Sequence, residues 1–299
     1  MNLRIGTRRS RLALAQADEV ASRLLELGVP SEAVPIVTAG DRGASAVGSL
    51  AGIKGLFVGE IVEALRRGEV DLAVHSAKDL PSEDPEGIVV GAVPERADPF
   101  DVLVGRSQEV LGPGAVIGTS SLRREAQLRR FHPDFEVVPL RGNVDTRLRK
   151  LESGQVDGLV LAAAGLHRLG VTPPSFRPLP LEEMVPAPGQ GALAVQVRAD
   201  DAATMEVVKR LDHARSRQAF DAERSLVGAL GGGCSLPLGA YAERREAGVR
   251  LLAVVLRPDG SDLLWAQAEA PSPGQVALEV ARSLMAGGAE EILRAARGS

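Results

Sequence analysis

The sequence predicts an α/β protein made of two similar doubly wound units and a smaller C-terminal α+β unit, and three observations carry that prediction. Short apolar runs alternate with amphipathic stretches through the first two thirds of the chain, the rhythm of strands joined by crossover helices. Two motifs recur in the same order: Ile5-Gly6-Thr7 returns as Ile117-Gly118-Thr119, and Gly68-Glu69-Val70-Asp71-Leu72-Ala73-Val74 returns as Gly154-Gln155-Val156-Asp157-Gly158-Leu159-Val160. A repeat of that kind marks two copies of one supersecondary plan. Beyond residue 213 the strands are grouped ahead of the closing helices, the order of an α+β unit.

Taken in order, residues 3–7 read as a strand. A helix follows with Leu14, Ala17, Ala21, Leu24 and Leu25 on roughly one face, ended by Gly28. Residues 34–38 form a second strand, and 39–53, small and Gly-rich, a mobile loop. A helical period over 57–67 leads into the apolar run Leu72-Ala73-Val74, and 88–93 is a further strand. The segment 94–99, with a proline at each end, is a crossing between units. The second unit carries strands at 115–119, 136–140 and 158–161, helices opening at Ser120 and spanning 144–152 and 163–169, and a Pro-rich stretch over 172–188. Gly189-Gln190-Gly191 is the return crossing, followed by a strand at 193–197 and a helix at 202–211. A helix over 213–230, strands at 238–242, 249–256 and 263–268 and final helices complete the chain. The expected domains are therefore 1–95 with 191–211, then 99–187, then 214–299.

Composition narrows the function. With 299 residues the chain can bury two or three cores. A formal charge of −4 and 3% aromatic residues disfavour general nucleic-acid binding and base stacking. Only four of the 35 basic residues are lysines, a bias toward the planar fork that matches carboxylate and phosphate. The N-terminus shows no signal pattern and no apolar run approaches a membrane span, so a cytoplasmic location is expected. One cysteine, Cys234, excludes an internal disulfide and a multi-cysteine metal centre.

The chemistry is expected where Leu72-Ala73-Val74 runs into His75, Ser76, Lys78 and Asp79, because α/β sheets bind ligands beyond the carboxyl ends of their strands. The second copy repeats the strand without the acid, with Gly165 at the place of Asp79. A surface Lys-Asp turn is the plainer alternative. Hydroxyls and arginines mark the strand-to-helix turns of both copies: Thr7, Arg8 and Ser10 in one, Thr119, Ser120, Ser121, Arg123 and Arg124 in the other. Helix N-termini bind anions, and arginines placed there oppose the helix dipole unless an anion offsets them. With Arg141, Arg147 and Arg168 they suggest a cleft for a polyanion, either carboxylate or phosphate. Cys234 follows three glycines, an arrangement open to a small buried residue or to a thiol brought to a crevice. A small-anion receptor and an acyl-transfer enzyme are rival readings. The first needs neither Asp79 nor Cys234, and the second lacks a visible base.

The motifs Thr7-Arg8-Arg9-Ser10, Lys54-Gly55-Leu56-Phe57, His75-Ser76-Ala77-Lys78-Asp79, Gly118-Thr119-Ser120-Ser121-Leu122-Arg123-Arg124, Leu140-Arg141-Gly142-Asn143-Val144, Ala164-Gly165-Leu166-His167-Arg168, Gly189-Gln190-Gly191-Ala192 and Gly232-Gly233-Cys234 closely resemble, in that order, the porphobilinogen deaminase family. The resemblance implies three domains, the first two resembling periplasmic binding proteins, in a monomeric enzyme that condenses four porphobilinogen molecules into hydroxymethylbilane with loss of ammonia. It implies a dipyrromethane cofactor joined to Cys234 as a thioether. Asp79 is then the catalytic carboxylate, holding pyrrole N–H groups and stabilising the azafulvene cation. Lys78, Asp79, Thr119, Ser121, Arg123 and Arg124 hold the cofactor, and Arg8, Ser10, Gln16, Arg141, Arg147 and Arg168 the substrate or growing chain. The chain departs from the family pattern at Ala77 for methionine, Gly231 for glutamate and His167 for lysine, and the 39–53 segment is short.

Overall fold

Strand β1 (Leu3–Arg8) pairs in parallel with β2 (Ser31–Ile36) on one side and β3 (Leu72–Ser76) on the other. The computed structural model describes residues 2–38, 50–106, 111–232 and 236–298, with the backbone alone at 50–57 and 297–298. Helix α1 (Arg11–Glu26) joins β1 to β2, and α2 (Leu50–Arg66) precedes β3. Strand β4 (Ile88–Ala92) closes the order β2-β1-β3-β10-β4, in which β10 (Leu193–Arg198) returns antiparallel from far along the chain. Apolar side chains cover both faces. Ala17, Val20 and Leu24 of α1, with Val208 of α6 (Ala202–Lys209), pack one side, while Ile61, Val62 and Leu65 of α2 pack the other.

The second sheet repeats the plan. Its order is β7-β6-β8-β5-β9, built from β5 (Asp101–Gly105), β6 (Val116–Thr119), β7 (Glu136–Pro139), β8 (Gly158–Ala162) and β9 (Ser175–Pro178). Here β5 is the reversed strand, antiparallel to β8 as β10 is to β3. Helices α3 (Leu122–Phe131), α4 (Val144–Glu152) and α5 (Ala163–Arg168) fill the connections. Registers make the repeat quantitative: Ile5 opposes Leu72 and Ile117 opposes Gly158, so residues seven further on, Asp79 and Gly165, are equivalent.

A three-stranded antiparallel sheet, β11 (Leu238–Arg244), β12 (Val249–Leu256) and β13 (Leu263–Ala270), packs under α7 (Ala214–Ala229) and α8 (Pro273–Ala286), with α9 (Ala289–Gly298) closing the chain. This layer touches both others. Phe220 of α7 enters the α2 core beside Ala77 and Leu80, and Ala126 of α3 packs on Leu252 and Val254 of β12.

Several expectations need correction. Strands β5 and β9 were not anticipated, because each borders a proline-flanked crossing that reads as linker. The second strand spans Ser31–Ile36 rather than 34–38; Pro35 lies inside it, tolerated because β2 is a sheet edge. Helix α2 begins at Leu50, so residues 50–53 are helical, and 39–49 lie outside the described residues. Leu25 is 65% exposed; the core face of α1 follows Ala13, Ala17, Val20 and Leu24.

Candidate active site

The turn that carries the acid is fixed by its backbone surroundings. Beyond β3 the residues Ala77–Asp79 form one 3-10 turn, and the Ala77 N–H donates to the Ala192 carbonyl at 3.0 Å. The return crossing presses on that turn. At Gly189 (φ 75°) a Cβ would lie 2.9 Å from both Ala77 C and Lys78 N, so only glycine fits. Lys78 and Asp79 are half-buried. Lys78 Nζ reaches Gln190 Oε1 at 3.5 Å, and behind the turn Gln16 Nε2 donates to Ser76 Oγ at 2.7 Å. His75 is buried, and desolvation pushes its imidazole down to about 4 against the opposing pull of Asp79 and Asp84.

Gln190 links this turn to the second sheet. Fully buried, it donates through Nε2 to the Pro99 carbonyl (2.8 Å) and to Asp101 Oδ1 (3.0 Å). Asp101 in turn receives Arg123 Nη1 at 2.8 Å and Arg124 Nη2 at 2.7 Å, with all three side chains buried. Burial would raise the Asp101 carboxyl, but the two guanidiniums outweigh it and hold it at about 2. The anion that offsets these arginines at the α3 N-terminus is thus protein-borne, which corrects the expectation that a ligand is needed for that purpose. One carboxylate facing two guanidiniums still leaves a net positive charge. Arg123 also donates to the Val185 carbonyl at 2.7 Å. Ser121 caps α3, and Thr119 Oγ1 accepts from the Ser121 N–H at 3.2 Å.

Arg147 is a half-buried cation. No acid among the described residues pairs with it, its Nε is buried without a hydrogen-bond partner, and the buried Ser120 Oγ shares that condition. Burial, and after it the charge of Arg124, push the Arg147 guanidinium down to about 10, so it stays charged at neutral pH. Arg141 is exposed at the start of the same helix region, Arg8 ends β1, and Ser10 caps α1 through the Ala13 N–H at 3.2 Å. Arg168 Nε donates to Glu19 Oε2 at 2.8 Å and its Nη2 to the Gly191 carbonyl at 3.1 Å, so it clasps α5 to α1.

Cys234 lies outside the described residues. The residues that bracket it in sequence point to the same place: Leu236 lines a pocket with Lys78, Ser121, Arg123 and Phe220, and a Cβ on Gly232 would sit 3.3 Å from Ser82 Oγ. Three functional residues escaped the sequence reading: Asp101, Gln190 and Glu223. Glu223 of α7 is fully buried, takes Arg96 in a two-pronged pair (2.7 and 3.1 Å), and accepts the Gly189 and Ala242 N–H groups. It fastens both crossings to the third sheet.

Fold and site together define a two-lobed α/β protein with a pocket lined by Lys78 of the acid-bearing turn from one lobe and by Ser121 and Arg123 from the other. Residues 3–206 match the family described as porphobilinogen deaminase, dipyromethane cofactor binding domain, and residues 218–286 match the porphobilinogen deaminase C-terminal domain. Proteins named porphobilinogen deaminase from Desulforudis audaxviator (48% identical over 300 residues, 98% of this chain and 97% of that one) and Brevibacillus brevis (45% over 296 residues, 97% and 96%) are similar along their whole length. The chain belongs to the porphobilinogen deaminase family. Among solved structures, the methionine-binding protein MetQ covers 70% of the chain at 14% identity with a TM-score of 0.43, a likeness too slight to argue from.

Proposed function

We propose that this chain condenses four porphobilinogen molecules head to tail on a dipyrromethane primer held by Cys234, releasing ammonia at each addition and giving hydroxymethylbilane. The observation that supports this most is Arg147, half-buried, charged and without an acid among the described residues, beside the Asp101–Arg123–Arg124 cluster with its net positive charge. Such a wall suits a ligand that carries carboxylates, and each added pyrrole brings an acetate and a propionate. The pocket also fits the body of the primer: Phe220, Val227, Leu236 and Leu238 offer an apolar side, Lys78, Ser121 and Arg123 a polar one. When bound, the dipyrromethane supplies the pyrrole carbon to which the first substrate is joined.

The protein's part follows from placement. Lys78, Arg123, Arg124 and the Thr119 and Ser121 hydroxyls hold the primer's carboxylates through charge-assisted bonds. Arg8, Ser10, Gln16, Arg141, Arg147 and Arg168 hold substrate and growing chain, Arg168 while also clasping α5 to α1. When the aminomethyl C–N bond breaks and ammonia leaves, positive charge remains on the substrate, and the Asp79 carboxylate balances it and accepts pyrrole N–H groups. The domains are 1–95 with 191–211, 99–187 and 214–299. In this reading the enzyme works as a cytoplasmic monomer. Among the described residues no helix is long and apolar enough to cross a membrane.

Asp79→Asn tests the catalytic assignment. It keeps size and fold and removes the charge, so hydroxymethylbilane formation should fall on the order of a hundredfold to a thousandfold, while substrate affinity, carried by the arginines, changes little. Normal turnover would return Asp79 to the surface-turn reading.

A further inference from the structure

The stretch after Asp79 has little backbone support of its own. Between Leu80 and Pro85 it forms no strand or helix, and two prolines, Pro81 and Pro85, remove backbone donors. Its side-chain anchors come from elsewhere. Arg224 Nε donates to the Pro81 carbonyl at 3.1 Å, and the same guanidinium grips Asp84 with Nη1 at 3.1 Å and Nη2 at 2.9 Å. Gln196 Nε2 adds a bond to Asp84 Oδ1 at 2.9 Å. The Arg224 guanidinium lies 5.6 Å from the centre of the Phe220 ring, which itself packs against Ala77 and Leu80 on both sides of Lys78-Asp79.

Arg224 belongs to α7, and α7 is rigidly placed. Ala219, Ala222 and Leu226 sit in the core of the third sheet, and Glu223 holds both crossings. The helix runs on to Ala229, and the Gly232 N–H donates back to the Val227 carbonyl at 2.8 Å. One helix therefore grips the segment that follows the acid and also forms the base of the segment that bears the thiol. We propose that Arg224 is a positioning residue for Asp79, acting through Asp84 and the Pro81 carbonyl to set the acid-bearing turn against the α7 framework. The proposal rests on the reading of Asp79 given above; Arg224 also lines the pocket assigned there to the primer, so intact mass is measured to separate positioning of the acid from holding of the primer.

A merely structural pair and a positioning pair differ in what they cost. Both side chains are largely buried, 17% and 22% exposed, so truncating either one also lowers stability, which the thermal midpoint reads separately from kcat. Displacing a reacting group by about 1 Å, by contrast, costs on the order of a hundredfold in rate. The comparison variant is Arg217→Ala, on the same helix, whose guanidinium bonds Asp212 and the Val90 carbonyl away from the acid turn.

The test measures kcat, KM, intact mass and thermal midpoint for Arg224→Ala, Arg224→Lys, Asp84→Ala, the Arg224→Ala/Asp84→Ala double variant and Arg217→Ala. We expect Arg224→Ala and Asp84→Ala to retain the primer mass and near-normal KM while kcat falls about tenfold to a hundredfold. The double variant should be no worse than Arg224→Ala alone, Arg224→Lys should recover part of the loss, and Arg217→Ala should keep normal kcat. Unchanged kcat in both single variants overturns the proposal, as does an equal fall in Arg217→Ala, which would mark general docking of α7. Loss of primer mass in both single variants also overturns it, assigning the pair to primer loading. If Asp79→Asn is inactive while Arg224→Ala is normal, the positioning role alone fails. If Asp79→Asn turns over normally, the catalytic reading itself fails.

Discussion

Replacing Asp101 with asparagine removes the charge on which the second lobe's arginines converge. Four donors meet that carboxylate: Arg123 Nη1 (2.8 Å), Arg124 Nη2 (2.7 Å) and Nε (3.2 Å), and Gln190 Nε2 (3.0 Å). An amide offers one acceptor oxygen and no charge, so two guanidiniums with side chains only 4% and 7% exposed would face each other unneutralised, with Arg147 nearby. Removing one partner of a buried ion pair costs about 3–5 kcal/mol, a large share of the ~5–15 kcal/mol that keeps a typical protein folded. The pH dependence follows from the same carboxyl. Its folded value of about 2 lies below the ordinary 3.8, so its ionisation stabilises the fold above pH 3.8, and that contribution is lost as pH falls through about 2. The amount is on the order of 2 kcal/mol. Urea unfolding followed by circular dichroism, run at pH 7 and across pH 4 to 2, reads both quantities. Asp101→Asn should unfold at much lower urea at pH 7 and lose the acid-range slope. A variant within about 0.5 kcal/mol of wild type would show that Asp101 is not the arginines' counter-charge.

Arg147→Leu should leave stability unchanged or slightly raised, since it removes a half-buried cation without an acid partner among the described residues, while KM for porphobilinogen rises about tenfold to a hundredfold, matching a lost contact of about 1.5–3 kcal/mol. Steady-state kinetics beside thermal melting checks both halves, and an unchanged KM would make Arg147 a bystander. His75, held down at about 4 from an ordinary 6.5, binds fewer protons folded than unfolded between those values, so stability should fall by up to about 3 kcal/mol as pH drops through that window. His75→Gln should flatten that part of the curve, and an identical slope in the variant would contradict the assignment.

The two-lobed plan was legible because the repeat lies in the residues themselves. Ile5-Gly6-Thr7 and Ile117-Gly118-Thr119 occupy the same strand of their sheets, and the registers put Asp79 opposite Gly165 as the aligned copies implied. The acid turn, the helix caps at Ser10 and Ser121 and the arginine excess were readable for the same local reason. Partnership at a distance was not. The counter-charge of Arg123 and Arg124 was hidden because Asp101 lies more than twenty positions away, on a strand reversed between β8 and β9. The Arg168–Glu19 bond was hidden in the same way, because Glu19 sits on the other lobe. Charge pattern tells which side chains need a counter-ion, and only the chain's crossings tell whether the protein or a ligand provides it.

Intact-mass spectrometry of the purified active enzyme tests the central claim most directly, because the account requires a primer fixed to the only thiol in the chain. The protein should exceed its sequence mass by two pyrrole units, with the excess confined to the peptide that contains Cys234 and absent from Cys234→Ser. Active enzyme of unmodified mass, or an excess on any other peptide, would contradict the account.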